Sequence, residues 1–201
     1  MKRALFVTGT VLFLATAMAS VQGKGGQGNG NGQGNDNGNG DGSKIQIGRE
    51  IAPVPLDLRG KNRSLVYLGS YIVNSQADCA GCHSNPAFIE GGDPFLGQPE
   101  IVSQATYLSG GGDLFGPFVP RNLTPDANGH PARLTLEEFI VVMTTGADLK
   151  ERPPSVPSAE HDLLQVMPWP VFKNMTTREL EAIYEYLSAI PCIGDADRCG
   201  G

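Results

Sequence analysis

Cys79 and Cys82 stand three positions apart and His83 follows at once, inside "ADCAGCHSNP" at residues 77–86. No other feature of the chain constrains its fold so strongly. Such a pair of thiols serves a disulfide, a zinc corner, a thioredoxin-like dithiol or the covalent attachment of haem. A zinc site needs four ligands, and the remaining Cys192, Cys199, His130 and His161 form no second compact knuckle. A dithiol redox centre needs a strand before it and a helix after it; here a helical pattern precedes the pair and irregular chain follows. Haem attachment accounts for the whole pentapeptide. Two thiols at this spacing reach the two vinyl groups of a porphyrin, and the adjacent imidazole supplies a proximal nitrogen to the iron. Ala80 and Gly81 are small enough to let the backbone run close to the ring edge. The expectation is one covalently held haem c per chain, with His83 as metal ligand.

The compartment agrees. The chain opens "MKRALFVTGTVLFLATAMAS", with two basic residues, an apolar run and small residues at 17–19, the three-part layout of a secretory signal. The apolar run falls short of the roughly 20 residues of a spanning helix. A signal peptide over 1–19 and a periplasmic or secreted mature protein are expected, with no stable membrane insertion. Residues 20–43, almost wholly Gly, Asn and Gln, carry too little apolar surface to offset the entropy of ordering and read as a disordered linker. Residues 44–201 have the size of one domain. A net charge of −6 with no basic stripe excludes nucleic acid as a partner.

Periodicity predicts an all-α domain. One helix runs from Ser64 to Ala77, with Leu65, Leu68, Gly69, Ile72 and Val73 on one face. A second starts at Thr135, where Thr135 and Glu138 are spaced as a capping box, carries Leu136, Phe139, Ile140 and Met143, and stops at Gly146. A third starts at Thr176 with Glu179 three residues on, carries Leu180, Ile183, Tyr184 and Leu187, and ends before Pro191. Between His83 and Leu134 no helical period exists, and short strands are expected around 101–108 and 114–119. So long a loop suits a chain that wraps something other than protein.

A six-coordinate iron needs a distal ligand. In "LLQVMPWPVFKNM", residues 163–175, Met167 precedes Pro168 and Pro170 follows Trp169. The prolines are expected to hold this stretch extended and present Met167 at a fixed angle. Its thioether would raise the reduction potential. Met175, His161 and His130 are the alternatives; Met143, on a helical stripe, reads as core. Trp169 reads as packing against the haem or core. The terminal "PCIGDADRCGG" carries Cys192 and Cys199 with no His after either, so an internal disulfide is expected in an oxidising compartment, against free thiols or an intermolecular bond.

"GSYIVNSQADCAGCH" (69–83), "NLTPD" (122–126), "LTLEEFIVVMTTGAD" (134–148), "MPWP" (167–170) and "MTTRELEAIYEYLSAIP" (175–191) together resemble mono-haem class I cytochrome c domains. The resemblance is to those related to the haem subunits of periplasmic alcohol and aldehyde dehydrogenases. It implies a cytochrome c fold of three main helices around the haem, with a long loop insertion over 84–120. It implies His83 as proximal and Met167 as distal ligand, and Arg121, Asn122 and Thr124 along the haem edge as propionate partners. Gly69 in the first helix implies a close crossing against Tyr184 or Tyr186 of the third. The function implied is electron transfer between redox partner proteins, without an enzymatic activity of its own. An electron-accepting subunit of a dehydrogenase complex and a haem-based gas sensor are the other readings. Those subunits often carry three haem motifs, and this chain has one.

Overall fold

Two local signals set the frame. Thr135 accepts a hydrogen bond from the amide of Glu138, whose carboxylate accepts in return from the Thr135 amide; Thr176 and Glu179 repeat the arrangement. They start α4 (Leu136–Thr145) and α6 (Thr177–Leu187). Gly146 ends α4 in the left-handed region at φ 72°, as its position implied. The computed structural model describes residues 40–112, 118–149 and 163–200. Within them every regular element is a helix, and pairing between extended chain is limited to isolated bridges. The remaining elements are α1 (Asp41–Ile51), α2 (Arg63–Tyr71) running into a π-helical turn (Ile72–Gln76), α3 (Cys79–His83), a 3₁₀ turn (Pro94–Leu96), α5 (Trp169–Phe172) and α7 (Ala196–Cys199).

The core lies between α6 and α2 with its π-helical continuation, where Val66, Leu68, Ile72 and Val73 meet Leu180, Ile183, Tyr186 and Leu187, all buried. Gly69 is the crossing point. A Cβ there would run into the carbonyl oxygen of Ala182 and come within 2.7 Å of the Tyr186 Cβ, so only glycine allows this approach. The crossing expected at Gly69 therefore forms against Tyr186. Helix α4 docks on α6 through an edge-to-face contact of Phe139 with Tyr184, rings 5.7 Å apart, while the Tyr184 hydroxyl donates to the Leu134 carbonyl. Met143 is buried in this core, as its stripe position implied.

The structure departs from the sequence expectation in several places. The first helix does not stay α-helical to Ala77: the Ala77 amide donates to the Ile72 carbonyl, five residues back. A helix over Asp41–Ile51 replaces the last three residues assigned to the linker. It survives two glycines because Gly48 seats directly on the α2 backbone at Tyr67 and Tyr71. No strand forms over 101–108, where Val102 makes one bridge to Phe88 before the chain turns. Residues 114–117 of the second expected strand, the 1–19 signal, most of the linker and His161 lie outside the described residues. The 167–170 stretch is not extended throughout: Pro170 sits in the first turn of α5, where its missing amide hydrogen costs nothing. Helix α6 stops at Leu187, ahead of Pro191. No helix among the described residues is long and apolar enough to cross a membrane.

Candidate haem site

Asp78 turns the chain at the end of the π-helical segment. Its φ of 45° puts it in the left-handed region, and its carboxylate accepts from the Gly81 amide, capping α3. The carboxylate lies so close beneath Gly81 that a Cβ there would meet it. Gly81 is thus required by its own cap. One turn of helix then carries Cys79, Cys82 and His83.

Cys79 and Cys82 are free thiols, both partly buried, and Cys79 packs against the core. Burial, with the Asp78 charge and Cys82 beside it, pushes the Cys79 thiol up to about 12. Cys82 is shifted in the same direction, again by burial first. A dithiol oxidoreductase needs the opposite, a thiolate stabilised near neutrality. Among the described residues no three His, Cys, Asp or Glu side chains converge to hold a metal ion, so the donor set does not suit a zinc corner either.

His83 is held from behind. Its Nδ1 lies 2.7 Å from the carbonyl oxygen of Arg121. A carbonyl can only accept, so Nδ1 carries the hydrogen and Nε2 keeps its lone pair. Burial lowers the His83 pKa further from its ordinary value, which keeps the ring neutral. A neutral imidazole with Nδ1 tied to a carbonyl and Nε2 basic is the form that ligates metals. The donor set therefore fits a haem: two unpaired thiols one helical turn apart and an oriented, neutral imidazole next to them.

The backbone around His83 is closed tightly. Its carbonyl accepts from the Gly110 amide at 2.7 Å, and the buried Ser84 hydroxyl accepts from the Leu108 amide at 2.9 Å. Leu108 pays for this with a left-handed conformation, φ 55°, and is fully buried. Its carbonyl accepts from the Leu123 amide. Residues 108–110 thus lie between the His83 turn and the 120–123 segment.

Met167 and Trp169 belong to a second platform, built on the end of α4. The Leu164 amide donates to the Gly146 carbonyl at 2.8 Å, and Leu163 pairs with Ala147. The Trp169 ring lies flat against Gly146, where any Cβ would penetrate it, and its Nε1 donates to the Leu164 carbonyl. Met167 is partly buried and packs against the core from this loop. Met175 packs partly buried just before α6, and His130 lies in a turn at 126–133.

An ion pair joins the two platforms. The Arg121 guanidinium donates to both carboxylate oxygens of Asp148 at 2.5–2.6 Å, with 28% and 12% of the side chains exposed. Arg121 thereby serves His83 through its carbonyl and the α4 platform through its side chain. Asn122 and Thr124 are occupied differently. The Asn122 side chain donates through Nδ2 to the Ile193 carbonyl and accepts at Oδ1 from the Thr124 amide and hydroxyl; the Thr124 hydroxyl accepts from the Ile193 amide. Arg198 adds bonds from its guanidinium to the carbonyls of Asn122 and Thr124. The Cys192–Cys199 disulfide, Cα atoms 5.7 Å apart, closes this turn, as the sequence implied. The C-terminal turn is a clamp on the segment that positions His83.

Sequence reasoning missed Asp148, Ser84 and Arg198. Asp148 follows the α4 stop signal directly, yet its partner is 27 positions away and no local pattern joins them. Compared with known proteins, the chain matches no family model, no curated protein and no solved structure.

Proposed function

We propose that this chain is an exported electron-transfer protein of the cytochrome c type, in which Cys79 and Cys82 would hold one haem c and His83 and Met167 would ligate its iron. The observation that carries the reading is the Nδ1 hydrogen bond from His83 to the Arg121 carbonyl, which leaves Nε2 as an oriented donor beside two unpaired thiols. When bound, the group supplies a one-electron ferric/ferrous couple in a ligand set that need not change between states. The protein's part is to hold that set still. The Arg121 carbonyl raises the basicity of the imidazole by accepting its other hydrogen. The α4 platform fixes the Met167 loop, and the Arg121–Asp148 pair ties the two supports together. A neutral thioether in the distal role favours the ferrous state and so a high potential. The N-terminal signal supports an extracytoplasmic location.

The ligand assignment is tested by the optical spectrum of the oxidised protein. The weak long-wavelength absorption of a ferric iron–thioether bond is expected in the native chain and in Met175→Ala, and lost in Met167→Ala. Its persistence in Met167→Ala would overturn the distal assignment. Rapid carbon monoxide binding by the reduced native protein would favour a sensor instead.

A further inference from the structure

The loop between His83 and Gly110 is an ordered projection whose tip has no use in the fold. Its arms are tied by backbone bonds from Ile89 to Ile101, Ile101 to Gly92 and Ser103 to Ala87, all near 3 Å, and by the Thr106 hydroxyl donating to the Pro86 carbonyl. The tip is the 3₁₀ turn Pro94–Leu96. The Asp93 carboxylate accepts from the Phe95 amide, the Gln98 side chain accepts from the Asp93 amide, and Gly97 closes the turn at φ 74°. Asp93, Pro94, Gly97 and Gln98 supply all the turn chemistry; nothing in it requires apolar side chains at 95 and 96. Yet Phe95 is 90% exposed and Leu96 71% exposed, with Ile89 and Ile101 each nearly half exposed behind them. Phe88 steadies Phe95 edge-on at 6.4 Å. A pre-ordered turn displaying a bare aromatic and a bare leucine has the makings of a binding anchor.

The charge around the tip says what it fits. Glu90, Asp93 and Glu100 flank it along the chain, Glu90 and Glu100 exposed, and the sequence has no Lys or Arg between Arg63 and Arg121. An acidic surround is repelled by an anionic bilayer. A second copy of this chain, net charge −6, would bring like charges together. We propose that the 86–102 loop docks a redox partner protein, with Phe95 and Leu96 entering an apolar recess framed by Lys and Arg. The inference rests on the electron-carrier reading for its purpose. The loop is closed at its base on the His83 carbonyl, which joins it to the turn that carries the candidate haem residues.

The test replaces Phe95 with a photo-cross-linking phenylalanine analogue in the full chain, exported in its own cells, and sequences the adducts by mass spectrometry. The expected adduct is to a redox protein, at a surface whose apolar residues are flanked by Lys or Arg. Its yield should fall about tenfold in Glu90→Gln/Glu100→Gln, which leaves the turn cap at Asp93 intact. Adducts to lipid or to a second copy, a partner surface without basic residues, a yield indifferent to the charge change, or no adduct would each overturn the proposal. Haem content is read from the mass of the same preparation. Full haem without the expected adduct refutes docking alone; the expected adduct on a haem-free chain refutes the electron-carrier reading alone.

Discussion

Three side chains in the core form a closed ring whose proton order is determined. Tyr107 donates its hydroxyl hydrogen to the Asn74 side-chain oxygen. In the 2.8 Å contact between the two hydroxyls the donor must therefore be Tyr186. Asn74 completes the ring by donating Nδ2 to the Tyr186 hydroxyl at 3.2 Å, and donates to the Ser70 carbonyl with its other hydrogen. Removing the Tyr107 hydroxyl takes the partner from the part-buried Asn74 oxygen and from the buried Tyr186 hydrogen. At about 1–3 kcal/mol for an unsatisfied buried group, and about 1 kcal/mol for the part-buried Asn74 oxygen, Tyr107→Phe should cost about 2–4 kcal/mol. Removing the Tyr186 hydroxyl leaves the Tyr107 to Asn74 bond intact, so Tyr186→Phe should cost about 1–2 kcal/mol. Burial raises the pKa of both tyrosines. The native state then holds protons that the unfolded state releases above about pH 10, so stability is complete below that pH and falls as pH rises past it, by at most roughly 2.7 kcal/mol per unit for the pair. Urea unfolding of each variant, disulfide intact, at pH 7 and across pH 9–11 measures all of this. A Tyr186→Phe loss equal to or larger than that of Tyr107→Phe would refute the proton order, and an unchanged alkaline slope in Tyr107→Phe would refute the linkage.

Other perturbations follow from the same contacts. Asp148→Asn should cost about 1–2 kcal/mol, between an exposed and a buried pair, and should weaken the ferric iron–thioether band; an unaltered spectrum would separate the two platforms. Replacing Cys192 and Cys199 by Ser opens a loop of sequence separation 7 and should cost about 2.5 kcal/mol by chain entropy, read as a lower urea midpoint that reductant mimics in the native protein. Gly69→Ala should destabilise by up to about 2 kcal/mol, because forcing α2 from α6 costs about 1–3 kcal/mol against roughly 1 kcal/mol gained in helix propensity; a higher melting temperature would contradict the crossing.

What the sequence made legible was local. The two capping boxes and the Gly146 stop are each decided by residues within one turn, and they appear where the spacing puts them. Gly69 was readable because a glycine inside an apolar helix stripe needs a close neighbour. The π-helical turn was not, because what holds it is Asn74 in a ring with Tyr107 and Tyr186, 33 and 112 positions away. Helix α1 was hidden by Gly42 and Gly48, poor helix formers, one of which is used to approach α2. At the candidate site the pentapeptide named its residues, while what orients them did not. The carbonyl that sets the His83 tautomer carries no side-chain signature, and Asp148 and Arg198 act across the fold on the 121–124 segment.

Whether Cys79, Cys82 and His83 form a haem-bearing turn is tested most directly by the mass of the exported chain. Produced in a host that matures such proteins, the native polypeptide should exceed its calculated mass by one haem, with both pentapeptide thiols closed to alkylation and His83→Ala altering the spectrum. A colourless chain of unmodified mass, with Cys79 and Cys82 both alkylated, would contradict it.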